Sequence, residues 1–394
     1  MMVGIALSAI GNGLVLPYTF IYFHTIRGIP TAIAGLIIGY GAFASLVVSP
    51  LVGNLVDHWG PKPVLIGSLL VSSAGYSSLG FVKNAGQAIF VITICSFGQS
   101  AMWPSQSAIS TELTPDHLRE RIYGVQFAML NLGIGIGGLI SSLAVTLDNA
   151  RSFELLFIGD GISYLVYLVA VLALGNVGHR TEKERAENAA RDEGWREVVA
   201  DKVFVKFWFV AIGAIFFGYS QMEVGFTAFS TTISGMQPRD LAWAYAANTF
   251  LIAFLQLWVV KKLEKLKRKK GIAIAAVIWV ASWISLAISG LINTGALIFV
   301  IGCQFIFAIG EMVWSPILPS IANQLAPDHL RGRYNAAATN TWQIAMIGGP
   351  AVAGTLLGAD LHWYWLGGLM LGLLVVATAA MRLKLPDRPN QISK

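Results

Sequence analysis

Charge is scarce in this chain: Asp, Glu, Lys and Arg make up 12% of its 394 residues, where soluble domains carry roughly a quarter. A water-soluble protein of that length needs far more polar surface, which excludes an ordinary soluble fold. Cysteine is nearly absent too. Cys95 and Cys303 both fall inside apolar runs, where they pack as small apolar side chains rather than form a bridge or hold a metal. The six histidines sit in loops or at the ends of apolar runs, without metal-ligand spacing. There is no glycine-rich loop ending in Gly-Lys-Ser/Thr to cradle phosphates, and no nucleophile elbow. Soluble enzyme chemistry and direct use of ATP are therefore not expected, and neither is a cofactor. The first apolar run, from Val3, has almost no polar segment before it and no small-residue cleavage site after it. It reads as a retained helix and not as a signal peptide.

What the chain has in abundance is apolar sequence, 55% of its residues. A helix needs about 20 such residues to cross a bilayer. Spans are expected at 3–23, 32–54, 63–82, 88–111, 122–146, 153–175, 207–233, 241–260, 271–292, 296–322, 334–357 and 362–381. They fall six and six about a charged linker at 176–206, which holds Arg180, Lys183, Arg185, Arg191 and Arg196 among many acids. A net charge of +6 would suggest nucleic acid in a soluble protein. Here the basic residues stand in short loops, so orientation in the membrane accounts for them and no nucleic-acid partner is expected. Joins holding Lys62, Arg119 with Arg121, and Arg331 with Arg333 fall on the linker's side, as do the run KKLEKLKRKK at 261–270 and the tail with Arg382 and Lys384. The other side has only Arg27, Lys83, Arg151 and Arg239. The basic side, with both termini, is expected in the cytosol, and the protein in the plasma or inner membrane.

Two stretches are near copies of each other. Residues 111–124 read TELTPDHLRERIYG and residues 323–336 read NQLAPDHLRGRYNA, at an offset of 212 residues. The same offset aligns Pro104 with Pro316, Gly137 with Gly349, and Gln99 with Glu311. Duplicated halves are how many secondary transporters are built. The expected fold is an all-α integral membrane protein of twelve transmembrane helices in two pseudo-symmetric six-helix halves, 1–175 and 207–394.

The join after the second span reads GNLVDHWGPK, with Gly53, Asp57, Gly60 and Lys62. It resembles the signature of the major facilitator superfamily between helices two and three, where glycines allow a tight turn and an aspartate addresses a helix N-terminus and basic side chains. The resemblance implies that Asp57 latches a cytosolic gate, with Arg119 as its partner. Other features resemble the drug:proton antiporter branch. NLGIGIGG in the fifth span (Gly133, Gly137, Gly138) and IGGPAVAG in the eleventh (Gly349, Pro350) are similar to its glycine-rich helix-packing motif. GDGISYL in the sixth span, YSQMEVG in the seventh and GEMVWSP in the tenth carry acids at positions that resemble those of multidrug exporters. Two departures stand out. No Lys or Arg occurs between Lys83 and Arg119, where many proton antiporters have a fourth-helix arginine, and KKLEKLKRKK lacks the glycine and aspartate of a second latch.

Ionisable groups inside a span cost at least about 2.5–3.5 kcal/mol at a helix centre, so they usually carry a function or a partner. Glu311, Glu223 and Asp160 are the candidates for proton coupling, since no basic residue shares the interior of any span with them. The plainer reading of Glu311 is a protonated acid bonded to a neighbouring helix, that of Glu223 a hydrated group in an outer vestibule. For Asp160 a structural hydrogen bond, to Ser163 or a facing helix, is the favoured reading. Candidate cavity residues are Asn12, Tyr18, Gln99, Trp103, Asn131, Asn248, Trp314 and Gln343, any of which serves equally as helix-packing glue. Aromatic faces beside an acid suit organic cations. The expectation is a proton-coupled exporter of lipophilic or cationic small molecules, acting by alternating access as a monomer in the lipid bilayer. The alternatives are a transporter of a defined metabolite (a sugar, amino acid or siderophore) and, from another class, a channel or receptor-like membrane protein.

Overall fold

The computed structural model describes residues 1–16, 18–146, 149–175, 177–178, 194–263, 266–292 and 294–386, without the side chains of 31, 32, 223, 238, 239 and 242. Most of the linker expected at 176–206 lies outside the described residues; its far end forms the short helix Trp195–Ala200.

Helices carry the described chain, and among the described residues there is no strand. In order they are α1 Met2–Val15, α2 Thr31–Trp59, α3 Pro61–Leu79, α4 Ala85–Leu113, α5 Arg119–Ala144 and α6 Ala150–Leu172, then α7 Lys202–Phe217, α8 Pro238–Leu263, α9 Arg268–Ser289, α10 Ala296–Trp314, α11 Arg331–Gly358 and α12 His362–Arg382. Their starts are set by local chemistry. Asn84 accepts from the Gln87 amide at 3.0 Å, and Asp201 accepts from the amides of Val203 and Phe204 at 2.9 and 3.0 Å. Gly60 turns the chain at φ +89° and Pro61 opens α3 at once, a pairing that a side chain at 60 would strain. Proline acts unequally in the two copies. Pro104 sits inside a continuous α4, whereas its counterpart Pro316 falls where α10 stops, and Ile317–Leu325 resumes after it.

Ten of these helices are long and apolar enough to cross a membrane among the described residues. The two that fall short, α3 and α11, have the length but carry Lys62 and a row of serines in one, and Arg331, Arg333 and several amide and hydroxyl side chains in the other. The chain is a multi-pass membrane protein, and its exposed Leu, Phe and Val side chains are the surface that hydrocarbon covers.

The helices pack by one scheme used twice. In the first six, α3 packs on α4 and α6, α1 on α6, and α2 on α4; in the second six, α9 packs on α10 and α12, α7 on α12, and α8 on α10. The fifth helix of each set docks on the first through glycine. A Cβ at Gly137 would collide with the carbonyl oxygen of Ile10, and one at Gly349 with Ser220. By contacts the chain divides into two compact units. The first is Met1–Pro115, Gln126–Trp195 and Ala326–Asn340, and the second is Asp116–Val125, Arg196–Leu325 and Thr341–Lys394. Each copy of the repeated turn thus belongs to the unit built mainly from the other copy's helices.

Candidate functional site

Three groups of buried polar side chains stand out among the described residues. The first is the turn after α2. Asp57 lies at the N-terminus of α11, where its Oδ1 accepts from the Gly332 amide at 2.5 Å and its Oδ2 from the Arg333 amide at 3.2 Å. The Arg333 guanidinium stands 3.6 Å from the same oxygen, and its Nε donates to Asn54 at 2.6 Å. A carboxylate facing unpaired amides at the positive end of a helix dipole is held by charge and geometry together. The close approach needs two glycines. A Cβ at Gly332 would sit 2.7 Å from Asp57 Oδ1, and one at Gly53 would sit 3.0 Å from the Arg333 Cα. Lys62 faces the other way: its ammonium donates to the Gly175 carbonyl and its amide to Gly178 at 3.0 Å, fastening the chain that leaves α6.

A second polar knot lies in the other unit. Arg268, at the start of α9, donates from Nε to Glu120 at 2.8 Å, from Nη2 to Ser320 at 2.9 Å, and from Nη1 to Gln324. Asn323 donates to the Tyr123 hydroxyl at 3.0 Å beside it. Arg268 and Glu120 are both buried. The offset of 212 places Glu120 opposite Gly332, so the residue that offers an amide to Asp57 in one copy offers a carboxylate to Arg268 in the other. The absence of a second glycine-aspartate motif led us to expect an eroded latch. In its place stands an ion pair of reversed polarity.

The third group surrounds Glu311. Only 8% exposed on α10, its carboxyl accepts from Asn248 Nδ2 of α8 at 2.6 Å. The buried Tyr219 hydroxyl, which has no other partner among the described residues, faces it. The Tyr219 ring lies 4.6 Å from Trp342, 5.3 Å from Trp279 and 5.5 Å from Phe307, and Trp279 in turn meets Trp314 at 6.1 Å. The chain is irregular where it supplies this tyrosine. After α7 it runs through a 3-10 turn at Tyr219–Gln221 and a π turn at Met222–Phe226, the kind of interruption that collects at functional sites. A π turn also follows α1, at Tyr22–Ile26. In the first unit, Gln99 donates to the hydroxyls of Tyr76 at 3.1 Å and Tyr164 at 2.8 Å. Asp160 is fully buried on α6 and packs over Gly11. Ser163 is 3.4 Å from its Oδ1, and its Oδ2 has no hydrogen-bond partner among the described residues.

A family model of the Major Facilitator Superfamily matches residues 1–350, and again residues 235–394. The chain belongs to the major facilitator superfamily. Over 396 aligned residues, covering 95% of this chain and 91% of the relative, it is 27% identical to the uncharacterized MFS-type transporter YttB of Bacillus subtilis. It is 23% identical to the multidrug resistance protein MdtH of Aeromonas salmonicida, over 94% of this chain and 91% of that one. With multidrug resistance protein 2 of Bacillus subtilis it shares 22% identity, over 92% and 89% of the two chains. The crystal structure of the human organic anion transporter MFSD10 (TETRAN) superposes with a TM-score of 0.70 over 96% of each chain, at 16% identity, a likeness of fold.

Within this superfamily frame the expected site residues separate. Asp57 does engage a helix N-terminus and an arginine, but the arginine is Arg333. Arg119, expected as its partner, pairs with Asp116 at 2.7 Å, three residues away in its own turn, as Arg331 pairs with Asp328 at 2.5 Å in the second copy. The 3-10 turns Asp116–Leu118 and Asp328–Leu330 hold each acid against its arginine. Trp314 is 1% exposed in the aromatic group near Glu311, whereas Trp103 is 39% exposed. Asn131 donates to the Phe127 carbonyl of its own helix at 3.0 Å, and Tyr18 packs edge-on against Phe153 at 6.0 Å. Asn12 and Gln343 are partly buried on α1 and α11. Gly133 and Gly137 sit against α1, Gly138 only grazes it, and Pro350 lies within a continuous α11. The side chain of Glu223 lies outside the described residues. Sequence reading passed over Tyr219, Trp279 and Trp342, since single aromatics in apolar runs look like packing. It passed over Glu120 and Arg268 for want of a motif, although the offset alignment held the signal.

Proposed function

We propose that the protein is a proton-coupled antiporter that exports lipophilic or cationic small molecules by alternating access between halves 1–175 and 207–394, with both termini in the cytosol of the cell whose plasma or inner membrane holds it. The observation that carries this reading is Glu311: a buried carboxyl, bonded to a neutral amide and set against a group of aromatic rings. Among the described residues no Lys or Arg pairs with it. A carboxylate there complements a cation, and the rings add cation–π attraction. Protonation removes that charge and with it the affinity, so one group can take proton and substrate in turn. A proton moving inward through 100 mV releases about 2.3 kcal/mol, enough to displace a substrate equilibrium by roughly fifty-fold. The two relatives named multidrug resistance proteins support the substrate class. Asp160, buried with an oxygen that has no hydrogen-bond partner among the described residues, and Glu223 are secondary proton sites on the same logic. The Asp57–Arg333 and Arg268–Glu120 contacts serve as the cytosolic latches of the cycle.

The test is transport by purified monomer in proteoliposomes. An imposed inside-acid gradient drives accumulation of a lipophilic cation dye in wild type and not in Glu311→Gln. Gradient-driven accumulation that survives the substitution removes Glu311 from coupling. A dye-independent ion conductance points instead to a channel.

A further inference from the structure

The rings around Glu311 differ in how open they are. Trp279, Phe307 and Trp314 form a closed floor, none of them more than 1% exposed. Trp279 stacks on Phe307 with ring centroids 5.2 Å apart and donates its indole N–H to the Phe307 carbonyl at 3.2 Å. A Cβ at Gly310 would collide with its Nε1, and one at Gly218 would sit 2.8 Å from its Cε3. Tyr219 meets Trp279 and Phe307 edge-on, at 79° and 84°. Ring faces packed this closely by protein leave no room for a ligand. Trp342 on α11 is different. It is only partly buried, as is Asn248 on the other side of the carboxyl, and these two form the rim of the site. Its ring lies 4.6 Å from that of Tyr219, whose hydroxyl faces Glu311.

The duplication points the same way. Between the repeated turns and the aligned pair Gly137 and Gly349, the offset of 212 places Leu130 opposite Trp342. It also places Gln99 opposite Glu311. The copy with the carboxyl therefore has the indole, and the copy with the uncharged amide has an aliphatic side chain. Leucine fills a helix face as tryptophan does, but it has no π face. A π face beside a carboxylate suits a cation, since the ring quadrupole attracts positive charge, most strongly for tryptophan, and quaternary nitrogen above all is recognised in this way. Only the Tyr219 ring separates the indole from the carboxyl, so one bulky organic cation can meet both. We infer that Trp342 is a specificity-determining residue of the substrate site, its indole face receiving a quaternary nitrogen whose charge Glu311 balances. This rests on the reading of Glu311 as the substrate's counter-charge, and adds which ring selects the ligand and for what group.

Equilibrium binding of ethidium, a bulky cation with a quaternary ring nitrogen, to the full chain in detergent tests it by fluorescence anisotropy. Mono-, di- and trifluorinated tryptophan placed at position 342 drain negative charge from the ring face and nearly keep its shape. Affinity should fall stepwise with each fluorine, by about tenfold across the series, within the range of a desolvated cation–π contact. Melting temperatures across the series should match wild type. A ring that serves packing alone gives a flat series. Trp342→Leu should lose about tenfold as well, and where that variant melts early the fluorinated series carries the test. Glu311→Gln separates this inference from the reading beneath it. Ethidium bound as tightly by Glu311→Gln as by wild type removes Glu311 as the counter-charge, and the role of Trp342 falls with it. Binding lost in Glu311→Gln but unchanged across the fluorinated series overturns the role of Trp342 alone.

Discussion

Gln99 and Glu311 occupy matching positions in the two copies, and their neighbours differ to suit them. The Gln99 amide donates to two tyrosine hydroxyls and has no charge to gain or lose. Glu311 accepts from Asn248 and faces a tyrosine with no other partner among the described residues, so its surroundings tolerate two protonation states. A carboxylate that attracts a cation does so only while ionised, so wild-type affinity for a lipophilic cation should weaken as pH falls through the titration of Glu311. Glu311→Gln should flatten that pH dependence and cut gradient-driven transport at least about tenfold, within the range of coupling free energies known for linked sites. Equilibrium binding of the dye across a pH series reads this directly. A pH profile unchanged by the substitution assigns the titrating group elsewhere, with Asp160 next to be examined. Asn248→Leu keeps the volume but removes the donor, and the Glu311 carboxylate then loses a charge-assisted bond, worth about 1.5–3 kcal/mol. Dye affinity at high pH should fall in that variant while the fold persists, as measured by melting temperature.

Between elements, the two contacts proposed as latches use opposite chemistry and so respond differently to the same manipulation. Arg268 is held by side chains, Glu120, Ser320 and Gln324, and the hydroxyl and amide can donate as well as accept. Asp57 is held in part by the amides of Gly332 and Arg333, which can only donate. Removing one partner of a buried pair costs about 3–5 kcal/mol, because the other charge stays behind. Glu120→Arg and Arg268→Glu should each destabilise the protein, and the double swap should recover much of the loss. The corresponding swap of Asp57 with Arg333 should not recover, since a guanidinium at 57 faces α11's amides, which accept no proton. Melting temperatures of the four single and two double variants decide it, and equal rescue at both sites refutes the distinction. Gly137→Val and Gly349→Val should each cost about 1–3 kcal/mol by overpacking the helix crossings. The Asp57 motif and these glycines were legible in the sequence because their chemistry needs particular residues at fixed spacing. The Arg268–Glu120 pair was not, because an ion pair between distant segments leaves no local pattern. The aromatic group around Glu311 hid for a related reason: an apolar run gives no sign of which rings turn toward an acid.

At the scale of the whole molecule, apolar runs and loop charge made the helix count and order legible, because the length of a span is set by bilayer thickness and not by sequence detail. The expected bounds missed what thickness does not dictate. The seventh span divides into α7 and irregular turns, and the tenth breaks at Pro316, both where side chains rather than lipid decide the backbone. The duplicated turns carry a stronger consequence. Both copies of the PDHLR block begin the helix that receives a latch, so both latches must open to the same aqueous phase if the halves share one orientation. Loop charge makes the cytosol the expected phase, and cysteine labelling tests the whole assignment at once. With Cys95 and Cys303, both buried, replaced by alanine, single cysteines at His117, Lys261, Lys83 and Arg151 sample two joins on each side. A membrane-impermeant maleimide should label Lys83→Cys and Arg151→Cys in intact cells. It should reach His117→Cys and Lys261→Cys only after permeabilisation. Labelling of His117→Cys but not of Lys83→Cys in intact cells would invert the molecule, and with it the direction of the transport proposed for Glu311.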